Sequence, residues 1–367
     1  MPQHFTFVME QTLGHVPFAK NLKKVVEADS EVNIDWLEVN FSPQNKFDKL
    51  PVIKNNWSLR GSLQARRLLN TERKKSGLSD LYFFHTQVVS LLSSGWLPKE
   101  TPVVISLDAT PINYDEIGLA YGHSASNQPA EKFKFWLNRR ALHHATRLVT
   151  WSEWARQSLI NDYGVEAQKV EVIPPGTDMS FWQPDLEAKK SNHSHAKLRL
   201  LFVGGDFERK GGQLLYETFR RDLSDLFELH LVTQGQVAPG DGVYVYKDIR
   251  PNSAELQALF RQADVFVLPT YGDCLSLAIV EAMAANLPIV STNVGATSEA
   301  VENGENGFLT TPGNATELTQ VLRQLATNPE LRQQMGDKSR KKAELNFDAS
   351  KNGLRLLEIC KRSTASK

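Results

Sequence analysis

Residues 264–288 read DVFVLPTYGDCLSLAIVEAMAANLP, and this apolar run, loop and second apolar run decide the fold. Asp264–Leu268 is short, β-branched and aromatic, which predicts a buried strand. Pro269 and the loop through Asp273 end it, and Leu277 to Ala284 continues as a helix. A strand passing through a tight loop into a helix is the repeating piece of a parallel α/β sheet. Asp273 falls in the loop and Glu281 in the helix, eight positions later. The first helical turn leaves N–H groups unpaired at the positive end of the dipole, where an anion fits. Glu281 lies ~7 Å further along the helix axis. Its neighbours Leu277, Ala278, Val280, Ala282 and Ala284 make a poor surface helix, so its carboxylate calls for a partner. A phosphate between two hydroxyl-binding carboxylates suits a nucleotide-sugar.

The same alternation extends outward in both directions. Strands are predicted at Phe5–Met9, Val32–Val39, Leu81–His85, Val103–Leu107, Leu148–Trp151 and Val170–Ile173. A second set follows at Leu198–Val203, Glu228–Val232, Val243–Tyr246, Val265–Leu268, Ile289–Thr292 and Phe308–Thr310. Helical patterns lie between most of them, at Pro17–Ala28, Ser62–Arg73, Lys132–Ala145, Glu153–Asn161, Gly212–Leu223, Ala254–Gln262 and Thr316–Ala326. Two such series predict two Rossmann-like domains with parallel sheets. The boundary is expected within Met179–Lys197, a polar stretch with little to bury. Phe347–Lys361 reads as an amphipathic helix beyond the second sheet, and Ser363–Lys367 as a frayed end.

Composition narrows the function. At 367 residues the chain is long enough for two domains of common size. Its 42 Lys and Arg equal its 42 Asp and Glu, which argues against nucleic acid as a partner. No run reaches the roughly 18 apolar residues of a membrane span, and the N-terminal segment lacks a secretory apolar core. Cys274 and Cys360 have no metal-ligand spacing and read as reduced thiols, so a cytoplasmic chain is expected.

A second constellation follows the strand Leu198–Val203: Gly204-Gly205-Asp206-Phe207-Glu208-Arg209-Lys210-Gly211-Gly212. Glycines let backbone approach a phosphate, and adjacent Arg and Lys neutralise it. A solvated surface turn is the plainer reading of the loop alone. Together, the two motifs resemble the retaining glycosyltransferases of family 4, with the GT-B fold. Asp273 and Glu281 match that family's E-x7-E signature, with Asp in place of the first Glu. The Gly204–Gly212 loop matches its G-R-x-x-x-x-K-G loop at Lys210, while Gly205 stands where the family has arginine and Arg209 is offered as the second cation. The stretches Val294–Thr310 and Val149–Asp178 are also similar to the family pattern.

The resemblance implies two domains facing across a cleft, 1–178 with a returning helix 347–367, and 197–346. It implies transfer of a hexose from a nucleotide-diphospho-sugar to a saccharide, lipid or small-metabolite hydroxyl, with no metal and no cofactor beyond that co-substrate. Glu281 would meet the ribose, Arg209 and Lys210 the diphosphate, and Asp273 the sugar hydroxyls. Gly14, Gly204, Gly205, Cys274, Leu275, Ser276 and Leu277 would line the donor, and Gly295 would let backbone pass close to it. On the acceptor side stand Gly14, His15 and Asp108, with His85 a further candidate. Relatives commonly carry His-Asp where this chain has Leu107-Asp108. The catalytic set expected is therefore His15, Asp108, Arg209 and Lys210. Ser276 also reads as a helix N-cap, and Asp108 as a loop-capping aspartate.

Several readings stay open at this stage. A nucleotide-sugar 2-epimerase or a non-catalytic binding protein would share the architecture. A nicotinamide dehydrogenase fits poorly, because no G-x-G-x-x-G follows the first strand. Two basic stretches, Lys54–Lys75 and Glu131–Arg147, carry aromatics or apolar residues among their cations. They are either solvated faces or a contact with the inner face of an anionic membrane.

Overall fold

The computed structural model describes residues 2–12, 14–43, 50–54, 56–118, 128–184 and 197–365. Contacts divide the chain into two compact units. The first comprises Met1–Asn113, Ser124–Pro175 and Ala349–Lys367, and the second Tyr114–His123 and Gly176–Asp348. Of the expected boundary stretch, 185–196 lies outside the described residues, whereas Trp182 is buried against Phe260 within the second unit.

The first unit holds six strands: β1 (Gln3–Glu10), β2 (Val32–Val39), β3 (Leu81–His85), β4 (Val103–Leu107), β5 (Arg147–Thr150) and β6 (Val170–Val172). They lie in the order β2-β1-β3-β4-β5-β6, every pair parallel. Side chains alternate across the sheet, so β1 sends Phe5, Phe7 and Met9 to one core and Val8 to the other. In β3, Leu81 and Phe83 oppose Tyr82 and Phe84 in the same way. Both faces are covered, which is why the sequence runs apolar without a break. The helix Trp57–Ser76 covers one face with Ala65 and Leu69. The other is covered by His15–Val26 and by the last helix, Ala349–Ala365.

That last helix buries Leu356, Leu357, Ile359 and Cys360 among Phe5, Phe7 and Phe83 of the first unit. Each fully buried aliphatic side chain there contributes roughly 1.5–3 kcal/mol. Of the end expected to fray, Ser363–Ala365 is helical, and 366–367 lies outside the described residues. The helix runs to Ala365 because Ser363 is buried and Thr364 accepts a 2.8 Å bond from the Gln3 amide.

The second unit holds β7 (Leu198–Val203), β8 (Phe227–Val232), β9 (Val243–Tyr246), β10 (Val265–Leu268), β11 (Ile289–Thr292) and β12 (Gly307–Thr310). Their order, β12-β11-β10-β7-β8-β9, is all parallel and has the doubly wound Rossmann form. The expected helix Gly212–Leu223 divides into an α-helix, Gly212–Thr218, and a wider π-type turn, Phe219–Leu223, that buries Phe219 and Leu223. An unexpected 18-residue helix spans Pro329–Asn346. Asn328 caps it through a 2.9 Å bond from Leu331 N–H, and Pro329 starts it.

Candidate functional site

In each sheet the chain winds to one side and then crosses to the other, leaving a switch point at the carboxyl ends of two adjacent strands. In the second unit those strands are β7 and β10. The loops leaving them are the two motifs singled out in the sequence, and they are tied to each other. Tyr271 N–H and the Thr270 hydroxyl donate to the Arg209 carbonyl at 2.9 and 3.2 Å. The Arg209 guanidinium donates to Gly272 O at 2.6 Å and to the Asp206 carboxylate at 3.1 Å. Lys210 Nζ forms an ion pair with the Asp273 carboxylate, both side chains mostly buried.

Two glycines make this closeness feasible. Gly211 takes a left-handed φ of +75°, and a Cβ there would stand 2.0 Å from Pro269 O. Gly295 has φ +51°, and its Cβ would stand 2.1 Å from Asp273 O. Gly295 thus lies close against the acidic loop, which Ala296 N–H also holds through Cys274 O at 2.8 Å. At Gly204 a side chain would press on the Lys210 stem at 3.1 Å, whereas beside Gly205 nothing lies within 4 Å.

Cys274, Leu275 and Ser276 are buried ahead of the helix Leu277–Ala284. Ser276 has the extended backbone of an N-cap, but its hydroxyl makes no capping bond. The N–H groups of Leu277 and Ala278 meet no acceptor among the described residues, as a helix start predicts. One turn on stands Glu281, only 7% exposed. Its carboxyl finds no hydrogen-bond or ion-pair partner among the described residues, and burial alone pushes its pKa up to about 8. A buried acid without a partner is costly unless a ligand supplies one.

The switch point of the first unit lies between β1 and β3. Here the structure gathers residues that no sequence spacing connects. Glu10 ends β1, 1% exposed, and its carboxylate accepts bonds from the Thr12 hydroxyl and, at 2.6 Å, from the Thr86 hydroxyl. Burial pushes the Glu10 carboxyl up, against the pull of His15, Thr12 and Thr86. His15 opens the helix His15–Val26, and its Nδ1 lies 3.0 Å from His85 Nε2. Its Nε2 lies 3.8 Å from Glu10 and 3.9 Å from Asp108. Phe18 and Trp151 pack on the two imidazoles. Asp108 also accepts Ala109 N–H at 2.9 Å, so it is both a loop cap and a member of this cluster.

The sequence-predicted residues thus fall into two groups, one per unit. Asp273, Arg209 and Lys210 meet in the second, with Glu281 one turn into the helix that follows, and His15, His85 and Asp108 meet in the first. Gly14 precedes His15 with φ −65°, a conformation open to any residue. Leu107 points into the apolar core. Sequence reasoning gave no role to Glu10, Thr12 or Thr86. The available signal was an acid at the end of the apolar run FTFVM, at a strand's carboxyl edge.

Two family models match this chain: "Glycosyltransferase Family 4" over residues 41–181 and "Glycosyl transferases group 1" over residues 197–328. A D-inositol 3-phosphate glycosyltransferase of Pseudarthrobacter chlorophenolicus is 28% identical across 58% of this chain and 55% of its own length. The chain thus spans about half the length of the curated relatives it matches. Sucrose-phosphate synthase from Thermosynechococcus elongatus superimposes with a TM-score of 0.77 at 16% identity, covering 100% of both chains. Anabaena Alr3699/HepE in complex with UDP-glucose gives 0.70 at 15% identity, covering 97% of this chain and 99% of that one. At such identities the likeness is one of fold.

Proposed function

The chain belongs to glycosyltransferase family 4, and from that premise we propose that it moves a hexose from a nucleotide-diphospho-sugar to a hydroxyl acceptor with retention of configuration. The observation that carries this reading is Glu281, a buried carboxyl with no protein partner among the described residues, one turn into a helix whose first N–H groups are open. A ribose offers it two hydroxyl donors. The diphosphate then lies against the helix start, with Lys210 neutralising it. Incoming phosphate competes with Asp273 for Lys210 and frees the Asp273 carboxylate for the sugar hydroxyls. Arg209 acts mainly by joining the two loops, its guanidinium held by Asp206 and Gly272.

The glycosyl carbon gains positive charge as the leaving diphosphate gains negative charge. Fixed donors aimed at developing charge contribute about 3–4 kcal/mol each. Lys210 and the helix start supply them, so the reading assigns no metal or cofactor. The acceptor belongs to the first unit, at Gly14, His15 and Asp108. No helix among the described residues is long and apolar enough to cross a membrane. Trp96 lies exposed under Arg66, and Phe133 and Trp136 lie exposed among Lys132, Lys134, Arg139 and Arg140. This pattern supports a cytoplasmic chain resting on an anionic membrane face, which cosedimentation with anionic vesicles tests.

The donor assignment is tested by thermal shift with UDP-, GDP- and ADP-sugars, starting with UDP-glucose, followed by calorimetry on Glu281→Gln. One donor is expected to raise the melting temperature, and the variant to bind it more weakly. No shift with any of them, or equal affinity in the variant, removes Glu281 from the donor site.

A further inference from the structure

The helix Leu277–Ala284 is open at its start, but its far end is finished, and one distant side chain finishes it. A helix leaves its last four carbonyls without intrahelical partners. Here Glu281 O accepts Ala285 N–H at 2.9 Å, Ala282 O accepts Leu287 N–H at 3.1 Å, and Met283 O accepts Asn286 N–H at 3.0 Å. The residue whose N–H would reach Ala284 O is Pro288, which has none. Arg340 supplies the missing donor, its Nη1 lying 2.6 Å from Ala284 O.

Arg340 lies on the helix Pro329–Asn346 with its side chain mostly buried, and it reaches a second segment as well. Nη1 also donates to Trp182 O and Nη2 to Met179 O, both at 3.2 Å, while Nε donates to the Glu344 carboxylate at 2.6 Å. The neighbouring carbonyls are held from the helix Ala254–Gln262, Phe181 O by the Gln257 amide and Gln183 O by Arg261 at 3.2 Å. Trp182 packs edge-on against Phe260 of that helix. Residues 179–183 are thus a strap fastened to two helices, all of it within the second unit. The planar fork of an arginine serves three carbonyls on two segments at once. The helix it ends is short: eight residues span ~12 Å, and Glu281 stands ~4.5 Å along the axis from Ala284. Over one turn of rigid helix, whatever fixes Ala284 fixes the Glu281 carboxyl.

We propose that Arg340 is a positioning residue of the donor site, which clamps the end of the helix bearing Glu281 to the strap 179–183 and so holds the Glu281 carboxyl where the ribose hydroxyls meet it. The inference rests on the nucleotide-sugar reading and deepens it. The guanidinium is taken up by Ala284, Trp182, Met179 and Glu344, so it acts through the helix and not on the donor itself.

The test is a double-mutant cycle on the whole chain, read by calorimetry well below the melting temperature. The probe is the nucleotide-sugar that gives the thermal shift, with UDP-glucose tried first. Arg340→Met keeps the apolar stem and removes the fork, and is expected to weaken donor binding about 10-fold, but only about 3-fold or less in a Glu281→Gln background. Arg340→Lys returns one cation to Ala284 O and is expected to recover part of the loss. An arginine that serves stability alone would lower the melting temperature and leave the affinity of the folded chain unchanged. Wild-type affinity in folded Arg340→Met, or equal losses in the two backgrounds, overturns the proposal. Should Arg340→Met fail to fold, the same cycle with Arg340→Lys decides, a smaller loss that vanishes with Glu281→Gln being the expected result. If no nucleotide-sugar binds the wild-type chain, the donor reading falls and this assignment with it. If one binds and the cycle shows no coupling, the role of Arg340 alone falls.

Discussion

Glu10 and Glu281 are both buried acids beside the switch point of a parallel sheet, yet they are kept on opposite terms. Two threonine hydroxyls and an imidazole surround Glu10. Glu281 has only apolar helix neighbours and rises to about 8 through burial alone. The difference separates a finished polar cluster from an unfinished one. A carboxylate whose bonds are made within the protein holds structure in place, while one left without bonds is ready for a ligand that brings its own donors.

The largest expected effect would break the comparison if it failed. The folded chain keeps Glu281 protonated to about pH 8, whereas the unfolded chain loses that proton near 4.5. The folded state therefore binds the extra proton, and this contribution is fully present below about pH 4.5. Stability then falls by about 1.4 kcal/mol per pH unit up to about pH 8. Urea unfolding at pH 8 should find Glu281→Gln more stable than wild type, by up to about 4 kcal/mol. At pH 4 the two should nearly coincide.

Lys210→Ala comes next, with turnover on saturating donor reduced about 100-fold or more, equivalent to about 2.7 kcal/mol. Unchanged turnover would remove it from the leaving group. Burial raises Glu10 as well, but Glu10→Gln should still act with the opposite sign to Glu281→Gln at pH 7, because it breaks threonine bonds that Glu281 does not have. An amide cannot accept from both threonines, so unfolding at pH 7 should show a loss of about 1–3 kcal/mol. A stabilised Glu10→Gln would mean that the two acids are alike.

The smallest effect concerns two serines at helix starts. Ser152 caps its helix by accepting Ala155 N–H at 3.1 Å, whereas the Ser276 hydroxyl makes no such bond. Ser152→Ala should cost about 1 kcal/mol, and Ser276→Ala less than about 0.5 kcal/mol in the unliganded chain.

How far the sequence could be read follows from how each part is assembled. Strands such as Leu81–His85 and Val265–Leu268 are buried on both faces and show as unbroken apolar runs, and all twelve strands were read to within two residues, including the half-exposed Val32–Val39. The helix Pro329–Asn346 was missed because it buries Met335, Gly336, Ser339 and Ala343, a face too small and too polar to show a stripe. Gly336 is there because a side chain would stand 2.5 Å from Asn286 O. Its start, Asn328-Pro329, was legible as a cap and an N1 proline. Asp273 and Glu281 were readable because one strand–loop–helix passage carries both. The Glu10 cluster was not, because Glu10, Thr86 and Asp108 meet only when β1, β3 and β4 pair. The sequence also offered no way to see that Lys210 would be paired with Asp273 and Arg209 held by Gly272.

The helix Ala349–Ala365 completes the first unit although it follows the whole of the second in the chain. During synthesis, domains ordinarily fold in the order in which they leave the ribosome. Here the earlier sheet emerges with Phe5, Phe7 and Phe83 lacking the cover of Leu356, Leu357 and Ile359. The later unit is then complete in sequence before the first one is, and the first core waits for its last helix.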